Sequence, residues 1–320
     1  MMQQRNIKNF LTNYGIIFVL ILLFVFFAFA ASGFLSVNNI FNILRQVSIV
    51  GIVAVGMTFV LLTGGIDLSV GSIIAVACVG TAKLMLIKVP AVWACLIMLV
   101  ICTLLGLFNA FCINKLKIPP LITTLGSMTA LRGLAFIITG GLPVFGFDSS
   151  FAKLGQGYLW LIPIPVIIMI IVFAIGITFL EKTRFGRYIY GVGGNEEATR
   201  LSGINISKIK YLVYAVSGIL SGLAGIVLLS RINSGQPNAG VGYEMDVITG
   251  VVLGGVSISG GEGRLGFVVV GVLMMGILTN GMIMLNVNDY VQQLIKGLVL
   301  IAAVAFDRFV QSRKISASAV

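Results

Sequence analysis

Long apolar stretches without charged residues alternate with short polar segments along most of the chain. A helix needs about 20 apolar residues to cross about 30 Å of hydrocarbon, so these stretches predict membrane-spanning helices. The pattern predicts ten of them, at 16–34, 46–66, 68–82, 89–114, 118–138, 163–180, 211–230, 247–261, 265–288 and 290–306. We therefore expect an all-α polytopic membrane protein, with one transmembrane domain covering residues 1–320.

Composition agrees with this pattern. Hydrophobic residues make up 58% of the chain and charged residues only 10%, whereas soluble domains have about 25% charged residues. This excludes a soluble globular domain, a disordered chain and a nucleic-acid-binding module. The net charge of +11 is then a topology signal, because cytoplasmic segments of membrane proteins carry an excess of Lys and Arg.

The distribution of positive charge predicts the orientation. If the N-terminus is cytoplasmic, two thirds of the 21 Lys and Arg residues lie in cytoplasmic segments, which favours a multi-pass protein of the bacterial inner membrane with both termini inside. The first apolar stretch contains Ala28-Phe29-Ala30, which resembles a signal-peptidase site. That stretch is longer than a usual signal sequence, so we expect a retained helix and keep cleavage as the alternative.

Two predicted spans, 68–82 and 247–261, are too short. Fifteen residues rise about 22 Å in an α-helix, and each span adjoins a glycine-rich polar segment, 64–72 or 254–263. Short, glycine-interrupted segments in both halves of a transporter point to its working site. The alternative is a pair of tight interfacial turns, with Asp67 capping a helix that begins at Leu68.

Charged residues inside predicted spans are expensive and are usually paired. Arg132 and Lys296 lie inside spans, and Glu244 and Asp246 precede the eighth span on the same side. We expect Arg132 or Lys296 to pair with Glu244 or Asp246. The alternative is that the two cations extend to the membrane interface.

The longest predicted cytoplasmic loop covers residues 181–210 and contains a short helix with clear ends. Asn195 is a favoured N-cap, two acidic residues follow in the first turn, and Gly203 suits the residue after the helix. The helix consists of Asn195, Glu196, Glu197, Ala198, Thr199, Arg200, Leu201, Ser202 and Gly203. A helix this short with both ends so clearly marked suggests a docking element. The alternative is a loop that rests on lipid headgroups through its basic residues.

Several kinds of chemistry have no residues to support them. The chain has no His, its four Cys lie in apolar stretches without CxxC spacing, and no phosphate-binding G-x-x-x-x-G-K-[ST] motif occurs. We therefore expect no metal site, no cofactor and no catalytic residue. The chain is not expected to be an enzyme, and any ATP hydrolysis would reside in a partner.

Four motifs together resemble one family. They are Thr63-Gly64-Gly65-Ile66-Asp67-Leu68-Ser69-Val70-Gly71-Ser72, the loop segments 183–187 and 193–204, Ser234-Gly235-Gln236-Pro237 with Gly242-Tyr243-Glu244, and Val252-Leu253-Gly254-Gly255-Val256-Ser257 with Gly260-Gly261. Over nearly its whole length the chain resembles the permease subunits of bacterial ABC importers for monosaccharides, of the ribose, arabinose and galactose type. The fold implied is that of a type II-like importer permease.

The resemblance implies a set of partners and roles. Two ATPase subunits would dock on Asn195–Gly203 as a coupling helix, a periplasmic binding protein would deliver the sugar, and a second permease copy would complete a homodimer in the bilayer. The residues that match the family's motif and would act in gating are Gly64, Gly65, Asp67, Ser69 and Gly71. The sugar would be ribose-like, with autoinducer-2 as an alternative within the family.

Weaker expectations concern the substrate path and the opposite face. Thr58, Asn109 and Asn280 are polar residues at membrane depth that could line the path, although interhelical hydrogen bonding also explains them. Arg231 and Arg45 are candidates for docking the binding protein, or ordinary rim charges. An ion-coupled secondary transporter is the alternative class, but it usually needs membrane-embedded carboxylates or His for coupling.

Overall fold

The protein is almost entirely helical in the computed structural model, which describes residues 2–147 and 149–318, with side chains over 15–147 and 150–308. The helices are α1 (Met2–Ala30), α2 (Val37–Leu62), α3 (Val70–Leu86), α4 (Ala91–Asn114), α5 (Pro120–Thr139), α6 (Lys153–Gln156), α7 (Ile164–Lys182), α8 (Arg184–Gly194), α9 (Glu196–Leu201), α10 (Ile206–Ile232), α11 (Tyr243–Leu253), α12 (Leu265–Met284) and α13 (Asp289–Ser318). A 3-10 turn, Ser149–Ala152, precedes α6, and a small hairpin of β1 (Tyr158–Leu159) and β2 (Ile162–Pro163) precedes α7.

Seven helices in the described part are long and apolar enough to cross a membrane: α2, α4, α5, α7, α10, α12 and 289–308 of α13. Residues 15–30 of α1 and all of α3 form shorter apolar helices. This confirms the predicted all-α polytopic fold. The helix α11 has only 11 residues and is about 16 Å long, so the eighth predicted span is the shortest.

Several predicted boundaries are wrong. The first apolar stretch is divided by a turn at 31–36, in which Gly33 has a positive φ. The Ser36 hydroxyl then accepts a hydrogen bond from the Asn39 amide at 3.3 Å, so α2 begins at Val37 rather than at residue 46. In the eighth span the helix covers Tyr243–Leu253 instead of 247–261, because Gly254 and Gly255 end it in a turn.

Two interruptions divide apolar segments that would otherwise be continuous. We call the segment 63–69, between α2 and α3, break 1, and the segment 254–264, between α11 and α12, break 2. Break 1 overlaps the first predicted glycine-rich stretch, 64–72, at residues 64–69, and break 2 covers the whole of the second stretch, 254–263. Both are glycine-rich, as expected where the chain must turn inside a helical protein.

The centre of the protein is formed by α2, α3 and α10, and α4 packs against α10 from outside. In the most apolar 18 residues of each helix, 83% of the residues of α2 and 67% of those of α10 are buried, whereas only 22% are buried in α4 and in α5. A Cβ atom on Gly106 of α4 would collide with the Tyr214 carbonyl oxygen, and one on Gly218 of α10 with the Cys102 carbonyl oxygen. Small residues therefore let these two helices approach backbone to backbone.

After α10 the chain turns back along α3 as an irregular segment, 233–242, in which residues 237–242 form turns. Gly235 pairs with Val144 through two main-chain hydrogen bonds of 2.8 and 2.9 Å and lies against Ala82 near the end of α3. Gly240 lies against Ile74 near the start of α3. Since eight residues of helix rise about 12 Å, this segment follows α3 for much of its length before α11 begins.

Candidate functional site

The loop predicted at 181–210 is mostly helical, and its two helices share one capping residue. The Thr183 hydroxyl accepts a hydrogen bond from the Gly186 amide at 3.2 Å and starts α8. Asn195 ends α8, and its side-chain oxygen accepts a hydrogen bond of 2.8 Å from the Ala198 amide at the start of α9. The predicted N-cap is confirmed, whereas α8 was not predicted.

The helix α9 has the ends that the sequence predicted. Glu196 and Glu197 lie in its first turn, where the helix dipole favours negative charge. Gly203 has a positive φ of 81°, and its amide donates to the Arg200 carbonyl oxygen at 2.9 Å. A short helix with both ends satisfied resists fraying.

One face of α9 is attached to the protein and the other is exposed. Thr199 is buried, and Lys210 of α10 forms an ion pair of 2.9 Å with Glu196. On the other face Arg200 and Glu197 form an exposed pair of 2.6 Å, and the Leu201 side chain is 79% exposed. The exposed face combines an apolar side chain with charges of both signs, which suits a docking surface.

The end of α8 contacts both breaks in one place, which we call the glycine joint: Leu62, Gly64, Gly193, Gly260 and Gly261. The Gly261 amide donates a hydrogen bond of 2.9 Å to the Leu62 carbonyl oxygen. A Cβ atom on Gly193 would collide with that same oxygen, and one on Gly260 would lie 2.8 Å from the Gly64 nitrogen. The three segments therefore meet through their backbones.

Tyr190 makes a second contact between α8 and break 2. Its hydroxyl donates a hydrogen bond of 2.9 Å to the Gly263 carbonyl oxygen. Burial raises the pKa of the Tyr190 phenol above its ordinary value, and the nearby negative charge of Glu181 adds to this, although Arg264 opposes it. The phenol therefore stays protonated at neutral pH and remains a donor.

Asp67 is the centre of break 1 and is fully buried. One carboxylate oxygen accepts hydrogen bonds from the Ser69 amide at 3.1 Å and the Ser69 hydroxyl at 2.6 Å. The other accepts from the Ser217 hydroxyl of α10 at 2.7 Å. Within the described part of the chain, Asp67 forms no ion pair with Lys or Arg, so hydroxyl and amide donors stabilise it. The expected capping of a helix at Leu68 is wrong, because α3 begins at Val70 with Ser69 as its N-cap; Asp67 instead connects the turn before α3 to a distant helix.

The hydrogen bonds extend from Asp67 to two further helices. The Asn109 amide of α4 donates to the Ser69 hydroxyl at 2.9 Å, and the Ser127 hydroxyl of α5 donates to the Asn109 oxygen at 2.5 Å. The Tyr214 hydroxyl donates to the Ile66 carbonyl oxygen at 3.4 Å. We call Asp67, Ser69, Asn109, Ser127 and Ser217 the Asp67 network; it ties break 1 to α4, α5 and α10.

The glycines of the motif around break 1 each occupy a crowded or strained position. Gly64 has a positive φ of 76°, and a Cβ atom on Gly65 would lie 2.8 Å from the Tyr214 hydroxyl. A Cβ atom on Gly71 would collide with the Glu244 carboxylate of α11. The motif therefore allows close packing of break 1 against α10 and α11.

The two cations inside the spans have different partners. Lys296 of α13 forms an ion pair of 2.8 Å with Asp246 of α11, which is one of the predicted pairings. Arg132 of α5 instead donates hydrogen bonds to the Pro237 carbonyl oxygen at 3.0 Å and the Ala239 carbonyl oxygen at 2.7 Å. The expected pairing is thus met by Lys296, whereas Arg132 has main-chain partners and Glu244 is only near enough to interact electrostatically.

The reason lies in the irregular segment 233–242. Carbonyl oxygens at membrane depth cannot be left without donors, and irregular backbone does not pair all of its carbonyl oxygens internally as a helix does. Arg132 supplies two donors where Pro237 and Ala239 need them. The arginine therefore stabilises irregular backbone inside the membrane, and sequence spacing could not reveal that this segment lies beside α5.

The three residues suggested for the substrate path are buried and have hydrogen-bond partners within the chain. The Thr58 hydroxyl donates to the Ala54 carbonyl oxygen of its own helix at 2.7 Å, and Asn109 belongs to the Asp67 network. Asn280 exchanges two side-chain hydrogen bonds, of 3.0 and 2.9 Å, with Asn39 of α2. The contacts of Asn109 and Asn280 are the interhelical bonds that the alternative interpretation describes, whereas the Thr58 bond lies within its own helix.

The two arginines suggested for docking a binding protein lie near the hairpin that precedes α7. Arg45 donates to the Gln156 carbonyl oxygen at 3.1 Å, and its guanidinium lies 4.7 Å from the centre of the Tyr158 ring. The Arg231 carbonyl oxygen accepts a hydrogen bond of 2.9 Å from the Gln156 side chain. Both arginines therefore lie by the segment 156–158, at the end of α7 opposite to α9.

The sequence analysis missed Gly193, Tyr190, Ser217 and Asn39 as contributors to these contacts. The pair Gly193-Gly194 at the end of a helix was the available signal for Gly193, since glycine there costs helix stability. Ser217 and Asn39 lie in apolar helices without any local signal, because their partners are 150 and 241 residues away.

Known proteins place the chain in a family. A family model described as a branched-chain amino acid transport system permease component matches residues 39–304. The chain belongs to this family of transport permeases. It is 45% identical over 314 residues to the ribose import permease protein RbsC of Haemophilus influenzae, which covers 97% of both chains.

Two further relatives agree with this placement. The RbsC protein of Bacillus subtilis is 45% identical over 278 residues, 86% of each chain. The L-arabinose transport system permease protein AraH of Escherichia coli is 42% identical over 303 residues, covering 94% of this chain and 92% of the relative. No solved structure matches the chain. The protein is thus a multi-pass transport permease of the inner membrane, and the resemblance drawn from its motifs is confirmed.

Proposed function

We propose that this permease forms the membrane path for a ribose-like monosaccharide in an ATP-driven ABC importer. A separate ATPase would hydrolyse ATP, a periplasmic binding protein would deliver the sugar, and a second copy of the chain would complete a homodimer. The relatives named as ribose and arabinose permeases support the substrate class. The structural observation that supports the assembly is the exposed, capped helix α9.

In this assembly α9 is the coupling helix. Its Thr199 side and the Glu196–Lys210 ion pair attach it to the permease, whereas Leu201, Glu197 and Arg200 face outward. With the N-terminus inside, positive-inside topology places α9 and both termini in the cytoplasm. Arg45 and Arg231 would then face the periplasm and the binding protein.

The path itself would open at the two breaks. Irregular backbone at membrane depth is tolerated where it is buried in protein or lines a cavity, and breaks 1 and 2 with the segment 233–242 supply such backbone. We assign the gating role to Gly64, Gly65, Asp67, Ser69 and Gly71 at break 1, and to the charged residues Arg132, Glu244, Asp246 and Lys296 around α11. Thr58, Asn109 and Asn280 remain weaker candidates, reached by a sugar only if their present hydrogen bonds open.

Co-purification tests the docking role of α9. Leu161 is the control for Leu201, because the two side chains are 80% and 79% exposed. Leu161 lies in the hairpin before α7, at the end of that helix away from α9. We expect Leu201→Ser, and Glu197→Ala combined with Arg200→Ala, to reduce recovery of the importer's ATPase with the tagged permease at least about tenfold, the effect of losing an interfacial anchor. Leu161→Ser should leave recovery unchanged.

Transport by the reconstituted complex tests the substrate. We expect ribose with its binding protein to stimulate ATP hydrolysis more than arabinose, allose or autoinducer-2 does. Uptake of sugar by the purified permease alone, driven by an ion gradient without ATPase, would contradict the proposal and favour a secondary transporter. Equal loss of ATPase from the Leu201→Ser and Leu161→Ser variants would contradict the docking role of α9.

A further inference from the structure

The glycine joint connects α9 to both broken spans through backbone alone. Gly193 is two residues before Asn195, the N-cap of α9. On its other side Gly193 abuts Leu62 at the end of α2 and Gly261 in break 2. Backbone contacts of this kind have no side-chain rotamers that could absorb a displacement, and packed interiors deform little.

The joint also ties the two breaks to each other. The Gly261 amide donates a hydrogen bond of 2.9 Å to the carbonyl oxygen of Leu62. Leu62 is the last residue of α2 before break 1. Gly260 lies against Gly64, and it needs its positive φ of 86° to do so. A movement of α8 against this patch therefore acts on the end of α2 and on break 2 together.

The ion pair between α9 and α10 is less suited to this task. The Glu196–Lys210 pair joins α9 to the N-terminal part of α10, and its side chains are 54% and 20% exposed. Exposed ion pairs contribute little and are screened by salt. By contrast, Gly193 is itself part of the joint, and the residue before it, Val192, is buried.

We propose that the glycine joint transmits movement of α9 to break 1 and break 2 simultaneously, and that Gly193, Gly260 and Gly261 are positioning residues for coupling ATP hydrolysis to opening of the path. This inference rests on the proposed docking of the ATPase on α9. Its specific content is the route: the displacement enters at Gly193 and is divided between the two halves of the permease.

Two neighbouring glycines provide a matched test. Gly193 and Gly194 are the last two residues of α8, and neither has a positive φ. A methyl group on Gly193 collides with Leu62, whereas one on Gly194 meets nothing within 4 Å. Gly193→Ala therefore disturbs the joint, and Gly194→Ala changes the same helix end without disturbing it.

The measurement uses the complete importer with its ATPase and binding protein in proteoliposomes. Four quantities are compared: ATPase recovered with the permease, basal ATP hydrolysis, its stimulation by ribose-loaded binding protein, and ribose transported per ATP. For Gly193→Ala we expect full ATPase recovery and retained basal hydrolysis. Stimulation and transport per ATP should fall at least about fivefold, the lower range of allosteric coupling. Gly194→Ala should match the wild type.

A milder variant covers the case in which Gly193→Ala does not assemble. Tyr190→Phe keeps the ring but removes the hydrogen bond to the Gly263 carbonyl oxygen, so break 2 alone is loosened. We expect transport per ATP to fall by about twofold to fivefold with unchanged ATPase recovery. A variant that merely destabilised the fold would lower recovery and basal hydrolysis instead.

The outcomes separate the two proposals. If wild-type permease recovers no ATPase, the proposed docking fails irrespective of the joint. If ATPase is recovered and both Gly193→Ala and Tyr190→Phe show wild-type stimulation and wild-type transport per ATP, the joint does not transmit the movement and the inference is overturned.

Discussion

Break 1 and break 2 are both glycine-rich interruptions, but they are stabilised by different means. Break 1 is held by side chains, since Asp67 accepts three hydrogen bonds from Ser69 and Ser217. Break 2 is held largely by its own main chain: the Ser257 amide donates to the Glu262 carbonyl oxygen at 2.9 Å, and the Gly260 amide donates to the Ser257 carbonyl oxygen at 3.2 Å. Four of its glycines, 255, 260, 261 and 263, have positive φ.

This difference separates two ways of placing irregular backbone in a membrane protein. The Asp67 network fastens break 1 to α4, α5 and α10, so break 1 cannot shift without opening buried hydrogen bonds. Break 2 satisfies much of its backbone locally and meets α8 and break 1 through glycine contacts. We infer that break 1 is sensitive to loss of a side chain, whereas break 2 is sensitive to gain of one.

The largest expected effect is at Asp67. Asp67→Ala removes the acceptor for three donors, and a buried donor without a partner costs about 1–3 kcal/mol. We expect the free energy of unfolding to fall by about 3 kcal/mol or more, measured from the unfolding midpoint of the purified permease in detergent. Asp67→Asn is the control, since its remaining oxygen can keep the Ser69 bonds and the loss should be smaller. An unchanged midpoint in Asp67→Ala would show that the network does not hold break 1.

The ion pair on α11 comes second and concerns the helix that leads into break 2. Lys296→Met leaves Asp246 buried without its cation. Removing one partner of a buried pair costs about 3–5 kcal/mol, but the Lys296 side chain is 20% exposed, so we expect about 2 kcal/mol. The double variant with Asp246→Asn should recover most of the loss. Additive losses in this double-mutant cycle contradict a direct pair.

The smallest effect compares two glycines within break 2. Gly255 and Gly260 have similar positive φ values of 81° and 86°, so alanine at either position costs about 1–2 kcal/mol from backbone strain. Only at Gly260 does the added Cβ also meet break 1, 2.8 Å from the Gly64 nitrogen. We therefore expect a lower unfolding midpoint for Gly260→Ala than for Gly255→Ala. Equal midpoints would mean that contact between the breaks adds no stability.

Local features were predictable because their physical causes lie within a few residues. The caps of α9 follow from Asn195 and Gly203, and both are present. The two interruptions follow from short apolar stretches next to glycine. Helix α8 was missed although its Thr183 cap is local, because its glycine-rich end resembles a loop.

The partners of buried polar residues were less predictable. Lys296 and Asp246 could be matched by charge, and they pair. Arg132 could not, because its partners are carbonyl oxygens of Pro237 and Ala239, and backbone atoms carry no sequence signal. The same holds for Ser217, one of many small polar residues in apolar helices, which tertiary packing alone places against Asp67.

The sequence by itself determined a polytopic all-α membrane protein, its family, the sites of its interruptions and the ends of α9. These depend on transfer of apolar side chains into lipid and on capping within one turn, both of which are local free energies. Tertiary structure alone decided the glycine joint, the Asp67 network and the course of the segment 233–242 along α3. Glycine permits close approach of backbones but does not specify which backbone approaches, so contacts over more than 100 residues depend on how all the helices pack together.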